Sequence, residues 1–152
     1  MEHNESVGFL ITDLISGGIQ VYLDPGVNIV YPGDGQLVSG WFDEEEGSLH
    51  VSMGREDALE ILIHEYCHYL QWTKSTPGQL AYDESAWRTI RDFEAEAERM
   101  SVKLILTHGL SVDVLQYSRK AAAYIYSYNI IRDTGIWFTP GKPPLLKTGL
   151  PI

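Results

Sequence analysis

Apolar and polar residues alternate through much of the first third of the chain and follow a three-to-four-residue repeat through most of the rest. The chain opens with Val7 to Ile15, VGFLITDLI, whose apolar spacing predicts an amphipathic helix stopped by Gly17-Gly18. Ile19 to Leu23, IQVYL, alternates and is rich in β-branched and aromatic residues, so a strand is expected there, ending at Asp24-Pro25-Gly26. A short strand over Asn28 to Tyr31 follows, then two more over Leu37 to Phe42 and Ser48 to Met53. The run Asp43 to Gly47 between the last two reads as a solvated hairpin tip. A small, mostly antiparallel sheet is the expected product.

Three helices are predicted beyond it. The first spans Asp57 to Lys74, with Glu56 and Asp57 beside its positive end. Its apolar residues Leu59, Leu62, Ile63, Tyr66, Cys67 and Leu70 cover more than one face, so it should be buried on most sides. The second spans about Ser85 to His108, with Asp83 or Ser85 as its cap and Gly109 as its stop. Its stripe is Ala86, Ile90, Phe93, Ala97, Met100 and Leu104. The third spans Val112 to Arg132. The result is an α+β fold in a single domain over residues 1–138, with 139–152 (TPGKPPLLKTGLPI from Thr139) as an extended tail too rich in proline for a regular element.

Composition narrows the class. With 152 residues, 44% apolar, the chain is long enough to bury a sizeable core. A formal net charge of -10 argues against nucleic acid or an anionic membrane as the main partner, and is compatible with solubility and with basic substrates. One cysteine, Cys67, allows no internal disulfide and is expected in the core. The polar, acidic start MEHNES has no targeting character, and no apolar run nears bilayer length, so a cytoplasmic location is expected. His3 and His50 are expected at the surface, and Trp72, Trp87 and Trp137 in the core or lining a groove.

The candidate chemistry lies in the first long helix, where His64-Glu65-Tyr66-Cys67-His68 spells H-E-x-x-H. Residues i and i+4 share a helix face, so both imidazoles can reach one ion. Glu65, one position further round, is placed to touch a water bound to that ion, as in zinc hydrolases. A shuffled chain of this composition would show the pattern roughly once in a hundred times. Two histidines and a glutamate inside an apolar helical segment nevertheless need a role, because burying them without one is costly. A zinc site of this kind takes three protein ligands, and no further histidine follows within Gln71 to Gly78. The next helix offers Glu94, Glu96 and Glu98. Glu94 and Glu96 sit on opposite margins of its apolar stripe and Glu98 lies nearer solvent, so periodicity leaves the first two open.

HEYCH followed by Phe93-Glu94-Ala95-Glu96-Ala97-Glu98 resembles the gluzincin metallopeptidases, in which a downstream E-x-x-A-[DEN] helix supplies a glutamate ligand. The resemblance runs from Ser48 to about Leu106 and is to the minimal, zincin-like forms, such as short phage or bacterial peptidases. It implies Zn2+ held by His64, His68 and Glu94, Glu65 as general base, and Glu98 supporting a histidine ligand. It also implies an oxyanion donor among His108, Tyr124, Tyr126 and Tyr128, and that the strand before the helix, Leu49 to Met53, is the sheet edge that pairs with substrate. The expected function is hydrolysis of peptide bonds in a protein or peptide substrate by a glutamate-activated, zinc-bound water. The alternative is a non-catalytic protein of the same fold that docks a partner through its C-terminal tail.

Overall fold

Ser6, Leu10 and Leu14, spaced by four, are the residues that helix α1 (His3–Ser16) buries. The structure, a computed structural model, describes residues 1–74 and 90–134. The predicted loop over Gln79 to Glu84, the caps Asp83 and Ser85, the start of the second long helix, Trp87, Trp137 and the tail all lie outside them. Helix α1 begins four residues before the apolar run, with Glu5 in its first turn, where a carboxylate favours the positive end. It closes where Gly18 takes a φ of 82° and Ile19 N donates to Leu14 O at 3.0 Å.

The strands are β1 (Gln20–Asp24), β2 (Ile29–Val30), β3 (Leu37–Val38), β4 (Gly40–Asp43) and β5 (Ser48–Ser52). They form a three-stranded sheet in the order β1-β5-β4 and a two-stranded ribbon of β2 and β3. β4 and β5 are the expected antiparallel hairpin, with Gly40 opposite Val51 and Asp43 opposite Ser48. The other pairing of the sheet is parallel, Gln20 opposite Ser48 through to Asp24 opposite Ser52, so the sheet is mixed rather than mostly antiparallel. Alternation reveals which face a residue takes but not the direction of its neighbour. The expected strand over Leu37 to Phe42 divides at Ser39, because Leu37 and Val38 pair with β2 while Gly40 onward pairs with β5. β5 also proves to be the middle strand, hydrogen-bonded on both sides. It is therefore not the sheet edge that the resemblance implied, and among the described residues β4 is an outer strand.

Leu49 and Val51 point inward from β5 and are fully buried. They meet α2 (Ala58–Lys74), whose Leu59, Leu62, Ile63 and Tyr66 belong to the same core as Leu10 and Leu14 of α1. Each such buried aliphatic side chain contributes about 1.5–3 kcal/mol of transfer free energy. α2 also packs against α3 (Ile90–His108), and α3 against α4 (Val114–Thr134). α2 is thus covered by the sheet, α1 and α3, as its all-round apolar pattern required. α3 ends at Gly109, φ 62°. α4 starts two residues later than the expected Val112, because the Asp113 carboxylate accepts from the backbone N–H groups of Leu115 and Gln116, both at 3.1 Å, and caps the helix there.

Candidate metal centre

Because α2 is buried on several sides, the polar side chains at its middle are enclosed by neighbours: Glu65 and His68 are buried. The contact of α2 with α3 brings Glu94 across to them. His64 Nε2 and His68 Nε2 are 3.0 Å apart, and Glu94 Oε2 is 3.0 Å from the first and 3.3 Å from the second. These three atoms form a small triangle open to one ion. Donors bonded at about 2.0–2.1 Å and tetrahedral angles lie about 3.3 Å apart, so the triangle has the required size. Glu94 Oε2 is enclosed yet has no aligned hydrogen-bond partner. A buried carboxylate oxygen left so is costly, and a cation between it and the two imidazoles removes the cost. Two imidazoles and a carboxylate are a fitting set for a borderline divalent ion.

The surrounding groups set the imidazoles. Gln71 Nε2 donates to Phe93 O at 3.1 Å and to Glu96 Oε1 at 3.2 Å, which turns Gln71 Oε1 toward His68 Nδ1 at 2.7 Å. Since Oε1 is only an acceptor, the proton sits on Nδ1 and the lone pair of Nε2 faces the triangle. The Phe93 ring stacks on His68, with centroids 4.8 Å apart and planes at 14°. Glu98 Oε1 lies 2.7 Å from His64 Nδ1, a short ionic contact that is not aligned as a hydrogen bond. Its charge favours a proton on that nitrogen.

The electrostatics follow from crowding and burial. Burial lowers the His64 pKa, but Glu94 and Glu98 outweigh it and hold the group well above its ordinary value. Glu94 is the mirror image: burial raises its pKa, yet His64 and His68 hold it below the usual carboxylate range. For Glu65, burial raises the pKa, the two histidines pull it back, and the net position stays above the ordinary carboxyl value.

Of the residues singled out from the sequence, His64, His68 and Glu94 converge, Glu65 is buried beside them on α2, and Glu98 faces His64 on the side away from Glu94. Glu96 is turned to Gln71 instead. Among the oxyanion candidates, Tyr124 has its ring edge-on to His64 at 6.2 Å and its hydroxyl 2.8 Å from that of Tyr128. Burial, then Glu94 and other neighbours including Glu65, push the Tyr124 pKa well up. His108 is exposed and tilted against Phe9, and Tyr126 is as exposed as Tyr124, each at 36%, so what distinguishes Tyr124 is the contact of its ring with His64. Cys67 is fully buried, accepts from Ser101 Oγ at 3.3 Å, and has its thiol pushed by burial up to about 11, which suits packing rather than reactivity. His50 is half-buried between Tyr22 and Trp41 rather than at the surface, as a residue on the middle strand must be. Gln71 and Phe93 carried no expectation as site residues. For Gln71 the signal was its spacing, three residues after His68 on the same helix face. Compared with models of known protein families, with curated proteins and with solved structures, the chain matched none.

Proposed function

We propose that this protein is a zinc-dependent metallopeptidase. The observation that carries the reading is the convergence of His64 Nε2, His68 Nε2 and Glu94 Oε2 within 3.3 Å of one another, with the buried Glu65 adjacent to His64 on the same helix. A zinc ion bound there would supply an acidified water and a Lewis acid for the scissile carbonyl. Glu65 accepts the proton of the attacking water and delivers it to the leaving amine as the C–N bond breaks. Its raised pKa brings it closer to neutrality, where one carboxyl serves as base and then as acid. A purely structural metal site has no use for a carboxyl at that position.

Gln71 and Glu98 keep the two imidazoles in the tautomer that the site requires. The Tyr124 hydroxyl, held protonated by burial and then by its neighbours, serves as donor to the carbonyl oxygen as charge develops there. Substrate strand pairing, if it follows the resemblance, falls to β4 rather than β5. A Cβ added at Gly40 of β4 would lie 3.4 Å from Glu65 Cγ, so this strand runs against the proposed base.

The test is bound zinc by elemental analysis, with cleavage of a peptide library, for wild type, Glu65→Gln, Glu94→Gln and Glu96→Gln. Glu94→Gln is expected to lose metal and Glu96→Gln to keep it. Glu65→Gln is expected to keep metal and lose about 10²–10⁴-fold in cleavage rate. A wild type that binds no zinc refutes the reading. One that binds zinc but cleaves nothing leaves a non-catalytic metal protein.

A further inference from the structure

The acidic hairpin tip has no part in the chemistry above, yet it stands at the end of the strand that starts beside Glu65. A groove of about 440 Å3 follows that strand. Trp41 and Asp43 of β4 line it from one face of the sheet and Phe42 from the other, with Val38 of the separate β2–β3 ribbon beside them. Successive residues of a strand point to opposite faces, so a groove sharing both sets lies along the strand's edge. Among the described residues, β4 pairs with β5 alone, and its other edge is open to an added strand. Tyr31 stands edge-on to Trp41, centroids 5.3 Å apart, and makes an aromatic wall. At the far end the Asp43 carboxylate accepts from the N–H groups of Glu45 and Glu46, both at 3.0 Å, and fixes the turn that carries Glu44 and Glu45 onto the groove's rim. Among the described residues neither Glu44 nor Glu45 has an ion-pair partner.

We infer that this groove is the subsite for a lysine or arginine side chain of an extended peptide. The inference rests on the peptidase reading and specifies its substrate class. The peptide adds to the edge of β4, and its cationic side chain lays its stem on Tyr31 and Trp41 and its charge between the rim carboxylates. Asp43 lies three residue steps beyond Gly40, about 10 Å at strand rise. The cation therefore belongs about three residues from the bond beside Glu65. Aromatic walls ending in carboxylates that pair with no described cation favour a cation over an apolar or acidic side chain, and the chain's net charge of -10 adds attraction at longer range.

The probe is a fluorescein-labelled nonapeptide carrying lysines, compared with one carrying norleucine at the same places. Binding to the full-length Glu65→Gln protein with added zinc is read by anisotropy at low salt. The lysine peptide is expected to bind about fivefold tighter, the yield of two surface ion pairs. That ratio should fall close to one in the Glu44→Gln/Glu45→Gln background and shrink in high salt. It should survive Glu2→Gln/Glu5→Gln, which removes equal charge from α1. Equal binding of the two peptides overturns the inference, and so does equal loss in both double variants, since attraction would then be to net charge alone. Cleavage by the wild type separates the two readings. Cuts about three residues from a lysine support the subsite, cuts indifferent to lysine sink the subsite alone, and an absence of cuts in any peptide sinks the peptidase while the binding ratio still decides the groove.

Discussion

Gln71 Oε1 sits 2.7 Å from His68 Nδ1 while the same amide donates to the backbone carbonyl of Phe93 at 3.1 Å. A carbonyl oxygen only accepts, so the second bond fixes which end of the amide faces His68. One side chain thus sets the tautomer of His68 and ties α2 to the helix that supplies Glu94. Gln71→Leu removes both and leaves Phe93 O without that donor. Zinc affinity, measured by competition with a chelator, is expected to fall about 10–100-fold, with a loss of about 1–3 kcal/mol in stability. Unchanged affinity would show that the tautomer is set elsewhere.

Tyr124 stands edge-on to His64 and hydrogen-bonds to Tyr128. Tyr124→Phe keeps the ring contact and removes the hydroxyl. Bound zinc should be unchanged and kcat should fall about 10²–10³-fold, the usual cost of one oxyanion donor. Tyr128→Phe should cost far less, since it only orients its neighbour. Equal effects of the two would point to packing of α4 as the cause.

Much of this arrangement was legible in the chain. Apolar periodicity located α1, α2 and the described part of α3, because each buries a stripe or most of its surface, while α4 was marked by the helix-favouring run Ala121 to Ala123. H-E-x-x-H identified two of the three converging groups by helix geometry alone. Other features lay beyond a one-dimensional pattern. Strand direction was one, since Gln20 to Asp24 alternate identically whether β5 runs with them or against them. The choice between Glu94 and Glu96 was another, because both flank the same stripe and only the approach of α3 to α2 separates them. β5 was expected at an edge from the resemblance alone, and its own five residues give no sign of how many neighbours it has. His50 looked like a surface residue because its cover comes from rings on β1 and β4.

The pH dependence of the metal-free protein follows from the signs of two shifts. His64 lies above its ordinary 6.5 when folded, so its contribution is complete below that value and is lost as pH rises through the folded pKa. Glu94 lies below its ordinary 4.5, so its contribution is present above that value and is lost as pH falls through the folded pKa. Metal-free Tm should therefore be greatest between about pH 4.5 and 6.5 and decline on the alkaline side. A zinc ion bound by these groups would take the place of the proton they share, and its affinity would rise as they deprotonate. The zinc-loaded protein should lack the alkaline decline, and the gap between the two Tm curves should widen with pH. Metal-free Glu98→Gln should show a shallower decline, because one of the carboxylates raising His64 is gone. Parallel curves with and without zinc would contradict the placement of the ion at His64.

Gly40 gives the sharpest separation of fold from chemistry. Its φ is not in the left-handed region, so its need for glycine comes from close approach alone. An added Cβ would stand 2.8 Å from His50 O and 2.9 Å from Ile61 Cγ2, with Glu65 Cγ beyond at 3.4 Å. The first contact is backbone of the middle strand and cannot yield cheaply, so β4 must move outward from α2. Gly40→Ala is expected to cost about 1–3 kcal/mol, as overpacking does. The metal triangle, built from α2 and α3, does not include β4, so bound zinc should stay near wild type. Cleavage should fall by more than the stability loss explains, because the shift widens the space between β4 and Glu65 where a reacting peptide must fit. Zinc content, thermal unfolding and cleavage measured on the same preparation separate these effects. Cleavage that tracked the folded fraction alone would mean that the edge of β4 takes no part in holding the substrate.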